Sequence, residues 1–227
     1  MSRSPICREI ERVAPDLVAA ARRFPASILA DVGGRRGTLG GRIQAVARSM
    51  KVAGPAFTVE VRPGDNLMIH AALVLAQPGD VIVVDGKGDL SCALTGALMA
   101  AHARAAGIAG FVIDGAVRDT EECANGDFPI FAAGANPNGP LKFSPGRINW
   151  PVSLAGTAVN PGDLIVGDAD GVVVIPRESA ADIVRAAQAK VDDEAKRVQA
   201  IGRGELVQGW VAESLRAAGV LGREEKL

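Results

Sequence analysis

The chain has no tyrosine, two histidines and three cysteines in 227 residues. Without tyrosine, no phenol can serve as acid, base or hydroxyl donor. His70 and His102 both fall in Ala- and Leu-rich helical stretches and read as packed or surface side chains. They provide no basis for a Ser-His-Asp triad or a histidine metal site. Cys7, Cys92 and Cys123 form no C-x-x-C pair and are odd in number, which argues against a zinc ribbon or a disulfide framework. Reduced thiols in a cytoplasmic protein fit that pattern best. Neither sign of charge dominates: 25 Lys and Arg stand against 26 Asp and Glu, a formal net charge of −1. There is no long basic run, so nucleic-acid binding has little electrostatic support. No apolar run approaches the roughly 18 residues that a membrane span needs. The polar start, Met1-Ser-Arg-Ser-Pro5, lacks the apolar stretch of a signal peptide.

What is present is an ordinary globular composition, 48% apolar and 22% charged, enough for a sizeable core. No linker divides the chain, so it reads as one domain over residues 1–227. Ile10, Val13, Leu17 and Ala20 recur at helical spacing, which predicts N-terminal helices over about residues 6–32, interrupted at Pro25. From residue 66 to 114 the pattern alternates helix, strand, helix, strand, which predicts an α/β layer with parallel pairing. Asp65 or Asn66 caps the first of those helices. Short strands with turns follow to Ile175, in a mixed or antiparallel sheet. C-terminal helices are expected over about 178–218. Gln77-Pro-Gly-Asp80 and Asn160-Pro-Gly-Asp163 echo each other as turns that feed strands.

Several motifs approach known chemistry and stop short. Gly33 to Gly41 lacks the Gly-Lys-Ser/Thr ending of a phosphate-binding loop. Asp85-Gly-Lys-Gly-Asp-Leu-Ser91 misses the third glycine of a dinucleotide fingerprint and reads as a mobile loop over a pocket. That weakness also counts against a methyltransferase using S-adenosylmethionine. Asp168-Ala-Asp-Gly171 lacks the spacing of a calcium loop and reads as a hairpin turn. The most informative stretch is Asp114-Gly-Ala-Val-Arg-Asp119, after the apolar run Ile108 to Ile113. A strand that ends there presents a guanidinium suited to a carboxylate and a carboxylate suited to a hard divalent metal. Alternatively, Arg118 and Asp119 are surface charges on the first turn of a helix.

Gly96-Ala-Leu-Met99 followed by Arg104-Ala-Ala-Gly-Ile-Ala-Gly-Phe-Val-Ile-Asp-Gly-Ala-Val-Arg-Asp119 resembles the central signature of the 4-hydroxy-4-methyl-2-oxoglutarate aldolase family, related to the regulator of ribonuclease activity A. Pro63-Gly-Asp-Asn66, Pro78-Gly-Asp-Val-Ile-Val-Val and Asp168-Ala-Asp-Gly-Val-Val-Val-Ile-Pro176 match its flanking pattern. The resemblance implies an α/β fold, a single-domain β/β/α sandwich of the RraA-like type, assembled as a homotrimer or homohexamer. It implies a lyase that cleaves a 4-hydroxy-2-oxo acid to pyruvate, or decarboxylates oxaloacetate, with Mg2+ or Mn2+. Carried over, Arg118 binds the pyruvoyl carboxylate and Asp119 is the metal ligand. Gly96, Ala97, Leu98 and Met99 line the substrate, with the Leu98 and Met99 N–H groups at a helix start. Glu194 reaches a neighbouring subunit's metal through water, or is a plain exposed helix residue. The aldolases carry an acidic residue where this chain has Ala97. That departure keeps open a non-catalytic, protein-binding regulator as the alternative.

Overall fold

The computed structural model describes residues 4–226. Its helices are α1 (Pro15–Ala21), α2 (Ala26–Val32), α3 (Leu67–Leu75), α4 (Ala97–Ala105), α5 (Thr120–Asn125), α6 (Ala180–Gly202) and α7 (Gly209–Ala217). The strands are β1 (Gln44–Ala45), β2 (Val52–Glu60), β3 (Val81–Thr95), β4 (Gly110–Val117), β5 (Ile130–Ala135), β6 (Arg147–Ile148), β7 (Val152–Leu154), β8 (Thr157–Val159), β9 (Leu164–Asp168) and β10 (Gly171–Ile175). The chain, read from sequence as one domain, forms two compact units, one up to Ala187 and one from Gln188 onward.

The first unit is built on a mixed sheet in the order β1-β5-β4-β3-β2-β9-β10, with β6 also paired to β2. The central run β2, β3, β4 and β5 is parallel, and α3, α4 and α5 make the crossovers. Both sheet faces are covered, and the side chains divide with the period of two that a strand imposes. Phe57, Val59, Ile82, Val84, Phe111 and Ile113 pack into one core with Ile69, Leu73 and Ala103 of the helices. Ala56, Val81, Val83 and Val112 point the other way, into a core with Val152, Leu154 and Val159 of the β7–β8 hairpin and with Ile165 and Val172. The layers are therefore strands, sheet and helices, the mixed α/β arrangement expected. Parallel strands buried on both faces carry the near-continuous apolar runs seen at Val81–Val84 and Phe111–Ile113.

Three expectations need correction. Residues 6–13 are not helical. Ile6 bridges Ile148, and the Val13 N–H donates to Gly162 O, so the sheet takes up the backbone that a helix would have used. The helix begins at Pro15, whose fixed φ suits a first helical position. The glycine-rich segment 85–91 is not a loop. It lies inside β3, which pairs with β4 through register shifts while Lys87 and Gly88 take φ of 61° and 71°. Finally, β4 does not end at Ile113 but runs through Asp114 to Val117.

The second unit contains the end of α6, and α7. Arg197 donates to the carbonyls of Glu205 and Leu206 and so fastens the turn between the helices. Among the described residues no helix is long and apolar enough to cross a membrane.

Candidate functional site

Three strand-to-helix connections meet at the carboxyl end of the parallel strands, where open α/β sheets place their ligands. After β3, Gly96 precedes α4. After β4, Arg118 and Asp119 precede α5. After β2, Asp65 and Asn66 precede α3. Asn66, Thr95, Gly96, Leu98, Met99, Arg118, Asp119 and Pro140 line one small pocket there.

Asp119 occupies the N-cap position of α5, yet its side chain makes no capping bond. Its backbone sits in the left-handed region, φ 55° and ψ 37°, a conformation that Asp tolerates better than most residues. The carboxylate instead accepts the Ala97 N–H at 3.1 Å, at the start of α4. Arg118 Nε lies 3.7 Å from the same oxygen, Oδ2. Both side chains remain roughly two-fifths exposed. The Arg118 N–H donates to Thr95 O at 3.0 Å and locks the two connections together. Gly96 is required by this approach: a Cβ there would collide with Asp119 Oδ2 and stand 2.9 Å from Arg118 Cγ.

Of the two α4 amides expected to face a carboxylate, the Met99 N–H donates to Gly96 O at 3.1 Å. It is not free for a ligand, whereas the Leu98 N–H forms no hydrogen bond among the described residues. The Ala97 N–H already serves Asp119. The α4 end thus offers one open donor with the positive pole of its dipole behind it.

The connection before α3 is held by its own acid. Asp65, buried, accepts the N–H groups of Leu67, Phe143 and Ser144. Burial opposes charge on Asp65, but the bonds from Leu67, Phe143 and Ser144 outweigh it and hold its pKa below the ordinary value. Asp65 therefore bonds the first N–H of α3, and Asn66, at the N-cap position, makes no capping bond: its Nδ2 donates to Leu94 O and Met99 Sδ, and the residue is among those lining the pocket. Beside it, His70 is half-buried, and burial, with Lys142 and His102 nearby, pushes its pKa down.

Arg118, Asp119, Gly96, Leu98 and Met99 are thus brought together as the motif reading expected, and Ala97 joins them through its N–H. Glu194 lies in the second unit, on α6, paired with Lys190 at 3.4 Å. Asn66 and Thr95 were missed as site residues. In sequence, Asn66 stood out only as a candidate helix cap and as the end of the flanking Pro63-Gly-Asp-Asn66 pattern, and no motif included Thr95.

As to a divalent ion, Asp119 supplies one hard oxygen ligand with its Oδ1 free of hydrogen bonds. No group of three or more His, Cys, Asp or Glu able to hold a metal occurs among the described residues. A single carboxylate with an open oxygen could serve a hard ion such as Mg2+ or Mn2+, which takes oxygen ligands and keeps several waters. It does not suit zinc, whose sites are built from three or four protein ligands.

A mixed α/β sheet with an Arg-Asp pair after a central strand, set against a glycine-opened helix, defines the class. Residues 14–174 match the RraA-like family, described as Aldolase/RraA, and the chain belongs to that family. It is 41% identical over 186 residues to a Halalkalibacterium halodurans protein named "Putative 4-hydroxy-4-methyl-2-oxoglutarate aldolase", covering 82% of this chain and 89% of that one. Among solved structures it resembles Streptomyces coelicolor RraAS2, described as an unusual member of the RNase ES inhibitor RraA protein family. The TM-score is 0.74 at 32% identity, over 83% of this chain and 99% of that one. An uncharacterized protein from Pseudomonas syringae pv. tomato aligns with TM-score 0.75 at 30% identity, over 86% and 96% of the two chains.

Proposed function

We propose that the protein is a cytoplasmic, divalent-metal-dependent lyase that releases pyruvate from a 4-hydroxy-2-oxo acid and decarboxylates oxaloacetate. The observation that carries this reading is Asp119. Its carboxylate is turned away from its own helix, held half-exposed by the Ala97 N–H, and set beside a guanidinium. A structural cap would have bonded to α5 instead.

In this reading Arg118 grips the substrate carboxylate, with the Leu98 N–H as a further donor. Mg2+ or Mn2+ held by Asp119 would supply Lewis-acid stabilisation of the enolate charge. In aldol cleavage the C4 hydroxyl passes its proton to water, its C–O bond becomes a carbonyl, and C3–C4 breaks. The electron pair stays on C3 as the enolate of pyruvate, which is then protonated. Oxaloacetate reaches the same enolate by losing CO2.

Leu98 lines the pocket and is 85% exposed, and Leu141, next in sequence to the pocket residue Pro140, is 58% exposed. Apolar side chains so placed support a homotrimer or homohexamer in which a second copy covers the pocket. Glu194 of that copy is the acid proposed to complete it.

A second reading, a non-catalytic regulator that binds a protein partner, is favoured by Ala97, which removes a carboxylate from the site. Pyruvate release from 4-hydroxy-4-methyl-2-oxoglutarate and from oxaloacetate, with and without Mg2+, separates the two. Metal-dependent release from either substrate supports the lyase. No release from either, at any Mg2+ or Mn2+ concentration, defeats it.

A further inference from the structure

We propose that Asn66 and Thr95 form the part of the pocket that reads a substrate hydroxyl. The inference rests on the lyase reading and deepens it, because it names the residues that tell a 4-hydroxy-2-oxo acid from oxaloacetate.

Among the described residues, five buried side-chain atoms have no hydrogen-bond partner: Asn66 Oδ1, His70 Nε2, Thr95 Oγ1, Asn149 Oδ1 and Arg197 Nε. Two of these five belong to residues that line the Arg118–Asp119 pocket. Asn66 and Thr95 are each only 3% exposed. Buried oxygens without partners are costly, and folded proteins rarely leave two in one place unless something arrives to bond them.

The chemistry of the arrival follows from the orientation of the amide. Asn66 Nδ2 donates to Leu94 O at 2.9 Å. A carbonyl can only accept, so turning the amide over would set one acceptor against another. Oδ1 is therefore the end left over, and it needs a donor. Neither a carboxylate nor an oxo group can supply one. A hydroxyl can. Thr95 Oγ1 both donates and accepts, so it suits a hydroxyl whichever way the proton points.

Position agrees with this. The Thr95 carbonyl takes the Arg118 N–H, so the hydroxyl site and the guanidinium sit on joined connections. Asn66 is held from behind by its own N–H, which donates to Leu141 O at 2.9 Å. Asp65, rather than Asn66, bonds the first N–H of α3. A 4-hydroxy-2-oxo acid gripped by its carboxylate has a hydroxyl to offer; oxaloacetate in its keto form has none.

The test uses the full-length protein with Mg2+ and compares Asn66→Leu and Thr95→Val with wild type. Each variant is assayed for kcat/KM on 4-hydroxy-4-methyl-2-oxoglutarate and on oxaloacetate, with thermal unfolding as the fold control. Valine matches threonine in shape and suits a strand, so Thr95→Val decides the matter if Asn66→Leu does not fold. The expected result is a kcat/KM ratio, hydroxy acid over oxaloacetate, lowered about tenfold or more, the worth of one lost hydrogen bond. Equal losses on both substrates, or no loss, would overturn the hydroxyl assignment while the lyase reading stood. A wild type that acts on neither substrate would refute the lyase reading itself, and this inference with it.

Discussion

Asp114 and Asp119 belong to one six-residue stretch, and each stands beside an arginine, but their surroundings are opposite. Asp114 lies within β4 and is 2% exposed. Arg42 grips both its oxygens, at 2.9 and 2.7 Å, and the Ala155 N–H adds a third bond at 3.0 Å. It ties β4 to the segment before β1 and to the β7–β8 hairpin. Asp119, past the strand end, has one backbone donor and an arginine at 3.7 Å. A carboxylate whose lone pairs are filled from within the fold is a clamp. One that keeps an oxygen open toward a pocket is available for a ligand. Two acids that look alike in sequence are sorted by the number of donors the fold delivers to each.

The largest effect expected from breaking this contrast is at Asp119. Asp119→Ala should lower metal-dependent pyruvate release by about 100-fold or more, as loss of a directly involved group does. Its unfolding free energy should fall by only about 1–2 kcal/mol, because alanine sits less easily than aspartate at φ 55° and the Ala97 N–H loses its acceptor, so the variant still folds. A Mg2+ titration of activity beside a denaturant melt reads both, and undiminished activity would sink the metal assignment.

Arg118→Lys tests the neighbouring cation. Lysine keeps the charge but loses the planar two-point grip. Steady-state kinetics should show kcat/KM reduced roughly tenfold or more, the worth of a charge-assisted bond of about 1.5–3 kcal/mol. Wild-type kinetics would mean that Arg118 does not touch substrate.

Asp114→Asn should do the reverse. It removes the clamp and turns an amide toward Arg42, for a loss of about 1.5–3 kcal/mol in stability. The freed guanidinium, half-exposed, still reaches water, which keeps the loss below that of a fully buried pair. Calorimetry should find Tm lower by roughly 3–10 °C. An unchanged Tm would refute the clamp.

Ala97→Asp sharpens the contrast by placing a second acid beside the open one, at a helix start that favours an anion. Wild type should favour oxaloacetate decarboxylation over aldol cleavage, and the substitution should move the ratio toward cleavage several-fold, on the scale of a group that acts through water. If wild type already prefers cleavage and the variant brings no gain, another group, such as Glu194 of a neighbouring subunit, supplies that function.

The smallest effect concerns a third acid, which pairs with no guanidinium among the described residues. Asp163 closes the Asn160-Pro-Gly turn by accepting the Asn160 and Arg177 N–H groups. Burial pushes its pKa up, and these bonds do not fully offset that. The sign follows from linkage. A carboxyl whose folded pKa is raised binds its proton more tightly in the native state than in the unfolded one. Its contribution is greatest at acid pH and declines as pH rises from the ordinary Asp value through the raised one. Denaturant melts across pH 3–7, compared with Asp163→Asn, should show that component vanish in the variant. Identical pH profiles would show that Asp163 is not the group responsible.

The echo between Gln77-Pro-Gly-Asp80 and Asn160-Pro-Gly-Asp163 shows how far sequence reading reached. In both turns the Asp accepts the N–H three residues back, at 2.8 Å, as turn chemistry predicts. Sequence could not show that Arg12 grips Asp80 through two bonds while, among the described residues, no side-chain cation meets Asp163. Those partners come from distant parts of the chain. Segment 85–91 misled for a related reason. Gly86, Lys87 and Gly88 carry the composition of a loop, yet β4 alongside takes up the backbone and turns the segment into an irregular strand. Ile6 to Val13 had helical spacing, and pairing with Ile148 and Gly162 overrode it.

Local order was determined by sequence alone: the buried runs at Val81–Val84 and Phe111–Ile113, the helix between them, and the Arg118–Asp119 pair just beyond a strand. These depend on near neighbours, whose side chains alternate or recur with the period of the backbone. Only the tertiary structure decided which acid is a clamp and which is open, that Asn66 bonds Leu94 rather than capping α3, and that Asn66 and Thr95 meet at the same pocket. Each of those outcomes depends on donors and acceptors brought together from separate connections, and their pairing exists only once the sheet has assembled.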